Sequence, residues 1–126
     1  MKAPMQITFR NMVPLPSVEP EIRRRADKLH LWTPDVISCR VVVEAEANRH
    51  HQGHEYRVRI TVHVPGEVIE AGQHHLDEDI HRAIHGAFDA AGRQLEDYVR
   101  HRRGQVKLHA PAANERVMRG ADDESP

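Results

Sequence analysis

The chain has 126 residues, the size of one domain, and its 18 Lys+Arg against 19 Asp+Glu leave a net charge of −1. That near balance excludes the simplest electrostatic case for a nucleic-acid or membrane binder, which starts from a strong basic excess. The longest run without a charged residue is eight, Asn11–Val18, far short of the roughly 20 apolar residues of a spanning helix. No apolar h-region follows Lys2, so a cytoplasmic protein without a secretory signal is expected. The single Cys39 has no internal disulfide partner, which fits a reducing compartment.

Met5–Arg10 alternates apolar Met5, Ile7 and Phe9 with Gln6, Thr8 and Arg10, the period of a half-buried strand. The proline-rich NMVPLPSVEP that follows reads as a connector. Ser17 is placed to cap a helix starting near Val18, with Pro20 tolerated in its first turn. Val18, Ile22, Ala26 and Leu29 give that helix one apolar stripe, and Pro34 ends it. From Ile37 the period returns to two. Ile37, Cys39, Val41, Val43 and Ala45 are expected to face a core, then Tyr56, Val58, Ile60, Val62 and Val64 after a turn. Pro65-Gly66 turns the chain into a weaker strand around Val68–Gln73. Asp77 or Asp79 then caps a second helix whose stripe is Ile80, Ile84, Phe88, Ala91, Leu95 and Tyr98 or Val99. Gly86 and Gly92 within it each cost about 1 kcal/mol relative to Ala, for which close packing is the only local reason. Periodicity stops after Gly104, and Ala110–Pro126 reads as a disordered tail. The order is β-α-β-β-β-α, an α+β domain over residues 1–109 with four strands and both helices on one face of the sheet.

Little here can carry nucleophilic or phosphate-transfer chemistry. Ser17, Ser38 and Ser125 have no G-x-S-x-G setting, and neither G-x-G-x-x-G nor a P-loop string is present. No enzymatic activity is expected. Cys39 falls on the inward face of its strand, where cysteine behaves as a small hydrophobe. Histidines are plentiful, 11 in all. His50, His51 and His54 share one turn, His74 and His75 precede the second helix, and His81 and His85 stand four apart on it. Zinc accepts imidazole at that spacing, but H-x-x-x-H alone is a weak pattern and Arg82, not Glu, follows His81. Polar surface residues are the plainer reading, and no metal or other cofactor is expected.

The basic residues fall into two groups. Arg24 and Lys28 share the face of the first helix opposite its stripe, with Arg25 on the flank and Glu21 beside them. On the second helix Arg82, Arg93 and Arg100 each follow an acid by four positions, Glu78, Asp89 and Glu96, an arrangement that supports an exposed helix by about 0.2–0.5 kcal/mol per pair. Arg102, Arg103 and Lys107 have no such acid. Cations at a helix C-terminus complement its dipole, so helix capping and phosphate binding both remain open for that end.

MQITFRN, the Arg25-x-x-Lys28-Leu29 spacing, DVISCRVVVE and above all DIHRAIHGAFDAAGRQL from Asp79 to Leu95 resemble the ribosome hibernation-promoting factor and ribosome-associated inhibitor family, once described as sigma-54 modulation proteins. The likeness runs from about Met5 to Lys107, and CRVVVEA with its later R-H-H-x-G is similar to a subgroup whose turn carries histidines. The resemblance implies a double-stranded-RNA-binding-like fold. It also implies a non-enzymatic bacterial factor that binds small-subunit rRNA in the mRNA/tRNA channel and keeps ribosomes inactive under stress. Its partners are then the small ribosomal subunit and its rRNA, with no DNA, no membrane and no stable homo-oligomer. Arg25 and Lys28 match the family's K-x-x-K-L, Arg93 matches its R-Q-L, and Arg100, Arg102, Arg103 and Lys107 fall in its basic C-terminal segment. Together with Arg24, these are the candidate RNA contacts. Glu96 and Asp97 depart from the pattern, standing where typical members are basic. The 19 residues after Lys107 are too few for the further domains of long members, which implies a short form. A different class of function is a degenerate relative that keeps the fold but binds a protein or a metal through the histidine turn.

Overall fold

In the computed structural model, β1 (Met5–Arg10), α1 (Glu19–Trp32), β2 (Ser38–Ala47), β3 (His54–Val64), β4 (Glu67–Ala71) and α2 (Ile80–His109) follow one another along the chain. The structure describes residues 4–47 and 54–109, with side chains as far as residue 104. His50 and His51 of the histidine turn, and the tail expected from Ala110, lie outside the described residues. By its contacts the chain divides into one unit ending at Leu95 and a second beginning at Glu96. The sheet, α1 and the first half of α2 belong to the first.

The strands form one sheet in the order β1-β2-β3-β4. β1 runs parallel to β2, with Met5 opposite Cys39 and Phe9 opposite Val43; parallel neighbours need a crossover, and α1 supplies it. β2 and β3 are antiparallel from Ser38↔His63 to Ala47↔His54. β3 and β4 form a hairpin in which Val64 faces Glu67 across Pro65-Gly66, and Gly66 takes the positive φ of +85° that the turn requires.

Strand alternation sorts the two faces. Cys39, Val41, Val43, Ala45, Val58, Ile60, Val62, Val64, Ile69 and Ala71 are buried. Against them lie Ile22, Ala26 and Leu29 of α1 and Ala83, Ile84, Ala87, Phe88, Ala91 and Leu95 of α2. The expected four-stranded α+β arrangement is what forms. Full burial of one Val, Leu or Ile contributes about 1.5–3 kcal/mol, so the lean, branched core carries the fold with few aromatics. Cys39 is part of it, and burial pushes its thiol up to about 11. A thiol-alkylating reagent is therefore expected to leave native protein unlabelled at pH 8 and to label it stoichiometrically once denatured; rapid native labelling would contradict this burial.

Several boundaries differ from the sequence expectation. Ser17 does not cap α1. The cap is Val18, with no side-chain hydrogen bond; its N–H bonds to the Leu15 carbonyl at 3.1 Å and its side chain is buried, so core packing outweighs a polar cap. Pro20 does stand in the first turn. Ile37 is 55% exposed rather than inward. The Thr33–Val36 turn, with its 3.1 Å backbone bond, resets the alternation, and Val36 enters the core in its place. Tyr56 is only half-buried. α2 runs 30 residues to His109, past the end of the apolar stripe, through residues that are mostly good helix formers.

Gly72 follows the end of β4, with a φ of +83°. A Cβ there would lie 2.1 Å from the Val58 carbonyl oxygen and 2.8 Å from Ala87 Cβ, so this glycine permits a close approach of α2 to the sheet. Close packing does not explain the helix glycines. Nothing lies within 4 Å of a Cβ built on Gly86, and one on Gly92 would meet Leu29 and Trp32 at ordinary distances of 3.8 and 3.9 Å. Gly86→Ala is expected to stabilise the protein by about 1 kcal/mol, read as a higher midpoint in urea with an unchanged slope; a lower midpoint would reveal a contact at Gly86 that the packing does not contain.

Candidate nucleic-acid interface

α1 buries Ile22, Ala26 and Leu29, which turns Arg24 and Lys28, two and one positions away, to solvent. Both are exposed, and no ion pair with a described residue holds either. Arg23 sits 3.9 Å from Glu19 one turn earlier. Arg25 differs from its neighbours. Its Nε donates to Glu21 Oε2 at 3.3 Å, and its Nη1 lies 3.2 Å from His85 Nδ1 on α2. Glu21 Oε1 also accepts from His81 Nδ1 at 2.9 Å. The two histidines four apart on α2 thus each engage α1, and this network ties the helices together. Arg25 is part of the scaffold as well as of the basic face.

Burial raises the Glu21 pKa, but the hydrogen bonds from His81 and Arg25 and their charges outweigh it and hold the carboxyl below its ordinary 4.5. A folded-state value below the unfolded one means stability present above about pH 4.5 and lost as the pH falls through the folded pKa. Glu21→Gln is expected to cost roughly 1 kcal/mol at neutral pH and to flatten the acid limb of a thermal-midpoint profile. An unchanged profile would show that the network does not stabilise the helix pair.

The α2 start is built by two aspartates. Asp79 Oδ1 accepts from the His81 N–H at 2.8 Å and more weakly from Arg82 at 3.4 Å, the usual cap geometry. Asp77 Oδ1 accepts from the Asp79 N–H at 2.8 Å and from Arg82 Nε at 3.3 Å. The Asp79 backbone bond and the Arg82 charge hold Asp77 below its ordinary range. Arg82 is thus engaged by Asp77, not by Glu78 at the i−4 position. Arg93 pairs with Asp89 at 3.5 Å as the spacing implies.

In the second unit, Arg100 pairs with Asp97 at i−3 and not with Glu96. Arg102 donates to Tyr98 Oη at 2.6 Å and stands 5.6 Å from the centre of that ring, which holds the guanidinium along the helix. Arg103 is exposed. Lys107 lies in α2, and its side chain is outside the described residues. No helix among the described residues is long and apolar enough to cross a membrane, and no group of three or more His, Cys, Asp or Glu among them is placed to hold a metal ion.

An exposed row of cations on α1, backed by a sheet and a second helix, is the geometry that phosphate contacts need. The family described as Sigma 54 modulation protein / S30EA ribosomal protein matches residues 5–103, most of the chain. The chain belongs to this S30EA family. Among solved structures the S30EA domain here is similar to a ribosomal subunit interface protein from Coxiella burnetii, at 15% identity and a TM-score of 0.63, covering 75% of this chain and 96% of that one. It is likewise similar to the Protein Y N-terminal domain from Thermus thermophilus, at 18% identity and a TM-score of 0.60, covering 74% and 94%. No curated protein matches it significantly. At these identities the neighbours speak to the fold of the S30EA domain. They share its overall fold.

Sequence reasoning located Arg24 and Lys28 on the exposed face but missed two things. It placed Arg25 among the RNA contacts without its tie to Glu21, although Glu21 stands at the same i−4 spacing used for the α2 arginines. It also passed over Trp32, which is 68% exposed at the end of the same helix face. The signal was available, since Trp32 follows Arg24 and Lys28 at steps of four and lies off the apolar stripe.

Proposed function

We propose that this protein is a ribosome-associated hibernation factor that binds small-subunit rRNA in the mRNA/tRNA channel and keeps ribosomes inactive under stress. The reading rests on one observation above all: Arg24 and Lys28 are exposed on α1 with no ion pair to a described residue, in a chain of the S30EA family. A free cation meets phosphate without first breaking a salt bridge. Arg93, Arg100, Arg102, Arg103 and Lys107 add positive charge along α2, the first three from side chains already held by a neighbour. The names of the two structural neighbours, a ribosomal subunit interface protein and Protein Y, support a ribosomal partner. The protein acts in the cytoplasm as a monomer, without cofactor or catalytic step, and binds neither DNA nor membranes.

The test is sedimentation of the purified full chain with purified small subunits through sucrose gradients at rising salt. Each phosphate contact releases counterions, so the logarithm of affinity falls with that of salt by about 0.7–0.9 per contact. Several contacts give a steep loss. A chain that stays at the top of the gradient even at low salt would refute the reading.

A further inference from the structure

We propose that Trp32 is a stacking platform for an unpaired base of the RNA whose phosphates Arg24 and Lys28 hold, so that α1 reads a single-stranded segment. Arg24, Lys28 and Trp32 succeed one another at steps of four on α1, one above the next on a single helix face. All three are exposed, Trp32 to 68%, and Leu31 beside it to 74%. This is the only tryptophan of the chain, and exposing so large an apolar side chain forgoes the burial a core would give it. The ring is nonetheless anchored. A Cβ built on Gly92 of α2 would stand 3.9 Å from Trp32 Cζ3, so one edge of the indole rests over that glycine while the rest of the ring stays open. A flat π-face fixed at one edge and continued by two cations with no ion pair to a described residue matches a phosphate backbone followed by a splayed base. Duplex RNA hides its bases in the stack, whereas loops and bulges present them to aromatic side chains.

This inference rests on the ribosomal reading above, and the experiment separates the two. With excitation selective for indole over Tyr56 and Tyr98, emission from full-length protein reports Trp32 alone. Single-stranded oligoadenylate of about twelve nucleotides is expected to quench it, and inorganic polyphosphate of matched charge to leave it nearly unchanged. In sedimentation with small subunits, Trp32→Ala is expected to weaken binding roughly 5- to 150-fold, the range for loss of one base–aromatic stack, and Trp32→Phe to recover most of it. Thermal melts of both variants should match the parent, because the side chain is largely exposed. If Trp32→Ala binds small subunits like the parent while Arg24→Glu/Lys28→Glu does not, the phosphate reading stands and the stacking inference is overturned. Loss of binding in Trp32→Ala without quenching by oligoadenylate would place the indole against a ribosomal protein, and overturns it too. Failure of the parent itself to bind small subunits refutes the proposed function, and the platform with it.

Discussion

Replacing Arg24 and Lys28 together with glutamate is expected to abolish sedimentation with small ribosomal subunits at moderate salt. Each charged hydrogen bond to phosphate contributes about 1.5–3 kcal/mol, and each reversal adds repulsion from the same phosphate. Losing both contacts should lower affinity by at least two orders of magnitude and reduce the salt slope by about 1.5. The fold should survive, since both residues are exposed and lie off the buried Ile22–Ala26–Leu29 stripe. Arg93→Glu should do less, because Asp89 already engages that guanidinium at 3.5 Å. Reversing Arg102 and Arg103 should weaken binding as well, Arg103 contributing more than Arg102, whose side chain is bonded to Tyr98. Arg25→Glu is a poor probe of RNA binding, because it also breaks the Glu21–His85 link between the helices. If the Arg24/Lys28 reversal sediments with subunits as the parent does, α1 is not the phosphate-binding face.

Gly72→Ala is expected to be the most damaging single substitution in the core. The new methyl would meet the Val58 carbonyl oxygen at 2.1 Å and Ala87 Cβ at 2.8 Å, on a backbone held at φ +83°. The left-handed conformation alone costs an alanine about 1–2 kcal/mol. The clash is with backbone, which has no rotamer to yield, so α2 must lift from the sheet or the strand must break. A total near 4 kcal/mol or more is expected, a large part of the roughly 5–15 kcal/mol that holds a typical domain together. Urea unfolding checks it directly. A loss under about 1 kcal/mol, the ordinary effect of a point substitution, would mean that the close approach at Gly72 is not rigid. The contrast with Gly86→Ala, expected to stabilise, makes the pair diagnostic of local geometry and not of glycine content.

Where a residue's role followed from periodicity, it was legible in the sequence. The alternation of Val41 and Val43 with Val42 and Glu44, and of Val58, Ile60 and Val62 with Arg59 and Thr61, sets the two faces, because a strand has no other way to bury one side. Failures came where tertiary contact overrides the local rule. Ser17 is a better cap than Val18 in isolation, yet Val18 is drawn into the core. Ile37 continues the β2 pattern on paper, but the turn before it shifts the register and leaves it outside. In the candidate interface, spacing found the Arg93 pair but missed that Arg82 turns to Asp77 and Arg25 to both Glu21 and His85. Glu21 stands four residues before Arg25, a spacing applied only to α2, and Asp77 stands five before Arg82, just outside it. His85 is 60 residues from Arg25, and only folding brings the two together.

The outward face of the sheet bears on how a chain of net charge −1 could meet a polyanion. Strand register puts Arg10, Arg40, Arg57 and Arg59 on that face with Glu44, Glu46, Glu55 and Glu70. Several interlock: Arg57 pairs with Glu46 and lies 3.7 Å from Glu44, which is 3.9 Å from Arg59. The charges of that outward face thus cancel. On the opposite side of the unit Arg24 and Lys28 are left without an ion pair to a described residue, while Glu19 and Glu21 engage Arg23 and Arg25. With a net charge of −1, such a chain offers a polyanion no long-range monopole attraction, only local contacts. Arg24 and Lys28 are felt by a phosphate only within about a Debye length, so mobile ions have little long-range attraction to screen. Complementarity at contact, and not capture radius, is what such a charge layout controls.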